Sequence, residues 1–294
     1  MRLIKAFVAI TAFLPRSFAT RPTKSERFTS STTGGKDGEV VRPRNNQELI
    51  NYLKGNTARI IYLERTFDFK GSEGNRLALS AFHQQEQLVN IKYDKAGLNS
   101  ITVGSNKSIV GVGSKGVIKG KGLRLANGVS NVIIQNIHIT DLNPSLVWGG
   151  EAITLNGTDN IWIDHYTTTG VFCSSGPTIN TILHVVNNYF RDIFDHAYEI
   201  DDKAQVLIEG NISRTSKIPL SPAGRVFGIP TSGSTGVCKA ALGRACQLNA
   251  FRSSGDLPND DSGFRGNFKG KSIAAITSAQ NAKGVMTRDD FGIA

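Results

Sequence analysis

The chain has 294 residues, 39% hydrophobic and 20% charged, with a formal net charge of +10. That size and apolar content suffice for a large core in one domain and exclude a disordered or low-complexity chain. The basic surplus does not mark a nucleic-acid binder, because Lys and Arg are scattered along the sequence with no basic stripe interleaved with aromatics.

Residues 1–19 read as a secretory signal peptide. Arg2 and Lys5 precede a short apolar run over 6–14, and Ser17 and Ala19 are the small residues before a cut. The run is too short to cross a bilayer, so a secreted, extracellular protein without a membrane segment is expected. A positive surface in that setting would meet acidic polymers. Residues 20–40 are polar and expected to be loose and flexible. Leu49, Ile50 and Leu53 stand at helical spacing and predict a short helix over 46–53. Residues 59–69 are β-rich, and 70–90 carry no clear pattern.

From residue 105 a phrase recurs. It reads Val132-Ile-Ile-Gln-Asn136-Ile-His138, Ile161-Trp-Ile-Asp-His165-Tyr-Thr167, His184-Val-Val-Asn-Asn188-Tyr-Phe190 and Leu207-Ile-Glu-Gly-Asn211-Ile-Ser213. Its fifth position falls at Asn136, His165, Asn188 and Asn211, in steps of 29, 23 and 23 residues. Short strands at such a period, with no helical pattern between them, predict an all-β solenoid. Asn tolerates the left-handed corner between strands, and its side chain can bond along the stack. The expected organisation is a right-handed parallel β-helix over 41–215. An irregular segment of the same domain, 216–294, would then wrap or cap it, with a brief helix or strand over 273–279.

Gly111-Val-Gly113-Ser-Lys-Gly116 has dinucleotide-loop spacing, but the Val-Ile-Lys-Gly-Lys-Gly that follows cannot open a helix, so these glycines are expected at corners. Cys238 and Cys246 lie close together in a Gly-rich stretch, and an oxidising compartment would favour a disulfide there, leaving Cys173 over. Asn106, Asn156 and Asn211 open glycosylation sequons. His83, His138, His165, His184 and His196 show no metal-ligand spacing. The adjacent Asp201 and Asp202 suit a turn better than a cation site.

The run 106–124, Asn131-Val-Ile-Ile-Gln-Asn-Ile137, the block 140–154 with Val147-Trp-Gly-Gly-Glu151, and Trp162-Ile-Asp-His165 resemble the pectin lyase branch of the pectate lyase superfamily. Leu183-His-Val-Val-Asn-Asn-Tyr-Phe190, His196-Ala-Tyr-Glu-Ile200 and Cys246-Gln-Leu-Asn-Ala-Phe251 extend the resemblance. It implies a parallel β-helix enzyme that cleaves pectin, methyl-esterified polygalacturonan, by β-elimination to unsaturated oligogalacturonides. It further implies a polysaccharide partner, no nucleic acid, no Ca²⁺ or other cofactor, and a monomer. Trp148 would line the substrate groove, where sugar rings stack on aromatic faces. Glu151 matches an acidic position that organises a cationic cleft.

The chain departs from the family after His165. Cys173 stands about where the family has an arginine, and an arginine-bearing segment that would supply the catalytic base is absent, with about two to three coils missing by the repeat length. The family's upstream Trp- and Cys-bearing loop is replaced by residues 75–87. The alternative implied by these departures is a catalytically inactive pectin-binding relative or a truncated gene product.

Overall fold

The computed structural model describes residues 32–81, 88–143, 150–178, 182–200, 204–215, 218–222, 224–229, 232–255, 257, 261–269 and 276. The chain enters through β1 (Glu39–Val41) and α1 (Asn46–Leu53). The helix has the bounds its apolar spacing predicts. The Asn45 side chain accepts from the Glu48 amide as N-cap, and Leu49 and Leu53 are buried beneath it.

The first coil holds β2 (Arg59–Leu63) and β3 (Thr66–Asp68). An antiparallel hairpin of β4 (Asn75–Ala81) and β5 (Leu88–Asp94) interrupts it, and α2 (Lys95–Leu98) leads to β6 (Ile101–Thr102). The next coil is β7 (Lys107–Gly111), β8 (Val117–Lys119) and β9 (Leu123–Ala126). It is followed by β10 (Ser130–Gln135), β11 (His138–Leu142) and β12 (Glu151–Asn156). Then come β13 (Asp159–Asp164) with β14 (Thr167–Thr178), and β15 (Ile182–Val186) with β16 (Tyr189–Ile200). The later strands are β17 (Gln205–Glu209), β18 (Ile212–Arg214), β19 (Ile218–Pro222), β20 (Arg225–Phe227) and β21 (Ala250–Arg252), with α3 (Lys239–Leu242) before the last.

These strands stack in parallel as three columns of a β-helix. The second column runs without a break through β3, β8, β11, β14, β16, β18 and β21. The third is β6, β9, β12, the later halves of β14 and β16, and β19. The first column is in two pieces: β1-β2-β7-β10-β13 and β15-β17-β20. Among the described residues no ladder joins β13 to β15, and this break falls where the sequence resemblance places the missing coils.

Alternation along each strand builds the core. Ile61, Ile109 and Ile134 stack inward in the first column, Phe67, Ile118 and Ile139 in the second, and Leu123 with Ile153 in the third. Each such side chain contributes about 1.5–3 kcal/mol when fully buried. The entry end departs from this rule, because Lys107 lies in register with Val132 and is fully buried. Its Nζ donates to the carbonyls of Gly55, Thr57 and Ser105 at 2.7–2.8 Å, closing the end of the core.

The corners between first and second columns set the register. Asn136 and His165 take the left-handed conformation expected of the fifth phrase position, with φ of 53° and 51°. In the later coils the left-handed residue is one place earlier, at Asn187 and Gly210. Thr167 accordingly pairs with Tyr189, a step of 22 residues instead of the 23 read from the phrase. Asn188 and Asn211 are thereby turned into a buried carboxamide ladder. Asn188 donates its amide to Asn211 Oδ1 at 3.0 Å, and Asn211 donates its own to Asn249 Oδ1 at 3.0 Å. Asn249 is a rung that the phrase does not announce. Gly111 belongs to a corner as expected, since a Cβ there would lie 1.8 Å from the Asn136 carbonyl oxygen.

Two boundaries and one sequon differ from the sequence reading. Residues 33–35, expected to be loose, are tied to the first column: the Thr33 and Gly34 amides donate to Asn131 Oδ1 and the Gly35 amide to Ser108 Oγ. The stack does not stop at Thr215, because β19, β20 and β21 extend it before the remaining segment covers it. Asn211, a sequon asparagine, is buried. Its Nδ2 donates to Val185 O, Glu209 O and Asn249 Oδ1, which leaves no room for a glycan in the fold. The segment 273–279, apart from residue 276, lies outside the described residues.

The C-terminal segment builds a second, smaller core on the outer face of β17 and β20. Leu207, Phe227, Ile229, Phe264, Phe268 and the disulfide pair Cys238–Cys246 form it. Beside it the fully buried Glu209 carboxylate bridges the two layers. It is 2.8 Å from His184 Nε2, accepts from Arg244 Nη2 at 2.7 Å, and accepts from the Gln247 amide at 2.9 Å. Burial pushes the Glu209 pKa up, but the hydrogen bonds from His184 and Arg244 prevail and hold it down to about 2.

Asn211→Ala should lower stability by about 2–3 kcal/mol, because it strands several buried polar groups at once; a thermal melt followed by circular dichroism reads this, and an unchanged midpoint would contradict the ladder. For Glu209, a depressed folded pKa means stability present above its ordinary 4.5 and lost as pH falls through about 2. Glu209→Gln should therefore be less stable than wild type at pH 7, with a gap that narrows as pH drops from 4.5 toward 2. A gap independent of pH would exclude the ionised bridge.

Candidate active site

The connection from β11 to β12, next to the third column, is anchored at both of its described ends, by the end of β5 and by α2. Asn143 accepts from the Asp94 amide and donates Nδ2 to the Asp94 carbonyl, each at 2.8 Å. Gly150 has φ of 113°, and a Cβ there would stand 1.9 Å from the Gly97 carbonyl oxygen, so the Trp-Gly-Gly sequence needs glycine at this contact. Trp148 lies outside the described residues.

Glu151 opens β12 directly after this contact and is half-buried. The Thr154 hydroxyl donates to its Oε2. Parallel pairing sets Thr154 opposite Arg124 of β9, and that side chain is exposed. One coil onward, Glu151 is opposite Cys173, which in turn is opposite His196. Cys173 thus occupies the register position beside the acidic residue, where the resemblance leads one to expect an arginine. Arg124 was not singled out as a site residue by sequence reasoning. The signal that could have found it is the 30-residue step from Arg124 to Thr154, one coil of the repeat.

A strut supports this region from the first coils. Lys121 is almost fully buried. Its Nζ donates to Glu73 Oε1 at 2.5 Å and to the Asn99 carbonyl at 2.6 Å, and sits 5.9 Å from the centre of the Phe69 ring. Asn99 Nδ2 completes the triangle by donating to Glu73 Oε2. The Asn99 hydrogen bond first, and then that of Lys121, hold the Glu73 carboxyl below its ordinary pKa.

The histidines are dispersed. His138 is on the second column, His165 at a corner, His184 in the buried Glu209 bridge and His196 on the third column. His83, Asp201 and Asp202 lie outside the described residues. Among the described residues no group of three or more His, Cys, Asp and Glu is placed to hold a metal. Of the other sequon asparagines, Asn156 is half-buried at the end of β12, and Asn106 donates Nδ2 to the Asn56 carbonyl at 3.1 Å.

A family model described as "Pectate lyase" matches residues 5–182. The chain is 36% identical over 363 residues to the probable pectin lyase A of Aspergillus fumigatus, covering 95% of this chain and 96% of the relative. It is 36% identical over 369 residues to pectin lyase B of Emericella nidulans, covering 96% and 97%. It is 37% identical over 337 residues to the probable pectin lyase D of the same species, covering 86% and 89%. Among solved structures, the pectate lyase from Acidovorax avenae subsp. citrulli covers 96% of this chain and 98% of its own, at 13% identity and a TM-score of 0.49.

The first comparison also measures what the chain lacks. Since 95% of 294 residues is about 280, about 80 of the 363 aligned positions hold no residue of this chain. Coil steps of 29 and 22 residues make that about three coils.

Lys121→Met removes the strut's ammonium and leaves Glu73 facing a carbonyl. It should cost about 1–2 kcal/mol in urea unfolding, with Glu73 partly screened by solvent. The double variant with Glu73→Met should recover part of that loss, and a Lys121→Met protein as stable as wild type would show that the strut carries no weight.

Proposed function

The chain belongs to the pectate lyase family, and on that premise we propose that it is an extracellular polysaccharide lyase that cleaves methyl-esterified polygalacturonan, pectin, by β-elimination. The observation that carries this reading is 36% identity to proteins named as pectin lyases over 95% of the chain. The signal-like pattern of residues 1–19 supports an extracellular location, and we place the working form as a monomer.

β-Elimination removes the proton at C5, beside the ester carbonyl, as the C4–O4 bond breaks. The electron pair passes through an enolate into the new C4=C5 double bond, and the leaving oxygen takes up a proton. The chemistry needs a base to take the C5 proton, positive charge near the developing enolate and a groove that holds the sugar rings. Arg124 supplies an exposed guanidinium on the third-column face. Glu151, tethered by Thr154, takes the role that the resemblance to pectin lyases implies, an acidic residue that organises the cationic cleft. Trp148 is assigned to ring stacking. As the resemblance to pectin lyases implies, no Ca²⁺ takes part, so EDTA should leave the rate unchanged.

The test is ultraviolet detection of unsaturated uronide ends on highly methylated pectin. Arg124→Ala should lower kcat/KM by about 10²-fold, as expected for the loss of one electrostatic group. Trp148→Ala should raise KM severalfold with a smaller effect on kcat. Pectin binding without unsaturated product would reduce the protein to a binder and overturn the enzymatic reading.

A further inference from the structure

The second column carries a feature that the cleavage reaction does not use. Parallel pairing sets Asp68 beside Lys119, Lys119 beside Thr140, Thr140 beside Thr169, Thr169 beside Arg191, Arg191 beside Arg214, and Arg214 beside Arg252. The neighbouring row is inward, with Phe67, Ile118, Ile139 and Phe190 all buried, so this row faces outward. Three arginines, 191, 214 and 252, therefore stand on successive coils of one face, at a step of about 4.8 Å.

The two ends of the row differ in their counter-charges. Asp141 lies 3.4 Å from Lys119 Nζ and 3.6 Å from Lys70 Nζ. Arg191 Nε lies 3.4 Å from Asp192 Oδ2. Arg214 and Arg252 are exposed and have no acidic partner among the described residues. Like charges side by side in one row of a sheet oppose its pairing. On the same column, burial first, then the Arg191 charge, bring the His138 pKa down to about 4.

We propose that this arginine ladder is a second polysaccharide-binding surface that holds de-esterified polyuronate along the helix axis, on a different column from the cleavage face. A polyuronate presents one carboxylate per sugar ring, a spacing of the same order as the coil step, so successive carboxylates can meet successive guanidiniums. An ester-blocked stretch offers no such charge. The ladder would anchor free-acid blocks while the third column works on esterified ones. The choice of polyuronate over another polyanion rests on the proposed pectin-directed function; the surface itself does not.

The experiment measures calorimetric binding of the full chain to polygalacturonic acid at several salt concentrations, beside the R214Q/R252Q double variant. Both side chains are exposed, and a melting temperature no lower than that of wild type checks folding. The expected result is affinity at least tenfold weaker, a salt dependence reduced by about two counterions, and an unchanged rate on short, fully methylated oligomers. Unchanged affinity would overturn the proposal. Equal affinity for double-stranded DNA at matched salt would overturn it as well, by reducing the ladder to a generic polyanion surface. R124Q separates the two readings: it should slow cleavage while sparing polyuronate affinity. Ladder-dependent binding by a chain that releases no unsaturated product would refute the enzymatic reading and leave this one standing.

Discussion

In a parallel β-helix no strand can satisfy its own backbone. Each N–H and C=O finds its partner on the coil before or the coil after, so the residue at which one coil turns fixes the register of the next. In this chain that constraint sits at the corner between the first and second columns. Asn136 and His165 set it in the front half; Asn187 and Gly210 set it in the back half, with buried Asn188 and Asn211 and half-buried Asn249 behind them as a carboxamide ladder. The coil step can change from 29 to 22 residues because the difference is taken up elsewhere in the coil while the corner is kept. β14 and β16 show where. Each runs 12 residues from the second column into the third, where β11 and β12 are separate strands.

The same logic explains how about 80 aligned positions can be missing without loss of the stack. Each coil contacts only its neighbours, so a cut between equivalent points of the cross-section leaves two matching ends. The second column passes the junction intact, and the first column does not. Beyond the junction, Glu209 and the small disulfide-bearing core bind the C-terminal segment to the outer face of the back half. The front half carries Glu151, Arg124 and the anchored connection from β11 to β12, so the proposed cleavage face belongs mainly to the part of the chain that keeps the family's motifs.

Much of this was legible in the sequence, for physical reasons that differ from element to element. The helix at 46–53 was readable because Leu49, Ile50 and Leu53 fall on one face that needs burying, and the phrase was readable because paired β-branched residues and a corner Asn must recur in every coil. The off-by-one corner at Asn187 was hidden, since Asn187 and Asn188 are the same residue type and only their backbone angles differ. Lys107 was hidden because a lysine at an inward position contradicts the alternation that defines a strand, and three carbonyls at the end of the core are what permit it. The hairpin at 75–94 has strand alternation in Val89, Ile91 and Tyr93, but spacing alone does not show that its partner is β4 and not a coil of the stack. The basic charge was visible only as a total. Arg191, Arg214 and Arg252 are 23 and 38 residues apart, and they become a stripe only when the coils are stacked. At the site, Glu151 was legible from its motif, while the pairing of Arg124 with Thr154 needed the register.

The account stands or falls on whether this shortened β-helix performs elimination. Mass spectrometry of the oligosaccharides released from methylated pectin answers that directly, because elimination yields fragments one water lighter than hydrolysis does. The expected result is a series of fragments each bearing one unsaturated end. Fragments with hydrolytic masses, or no depolymerisation by a folded protein, would contradict it.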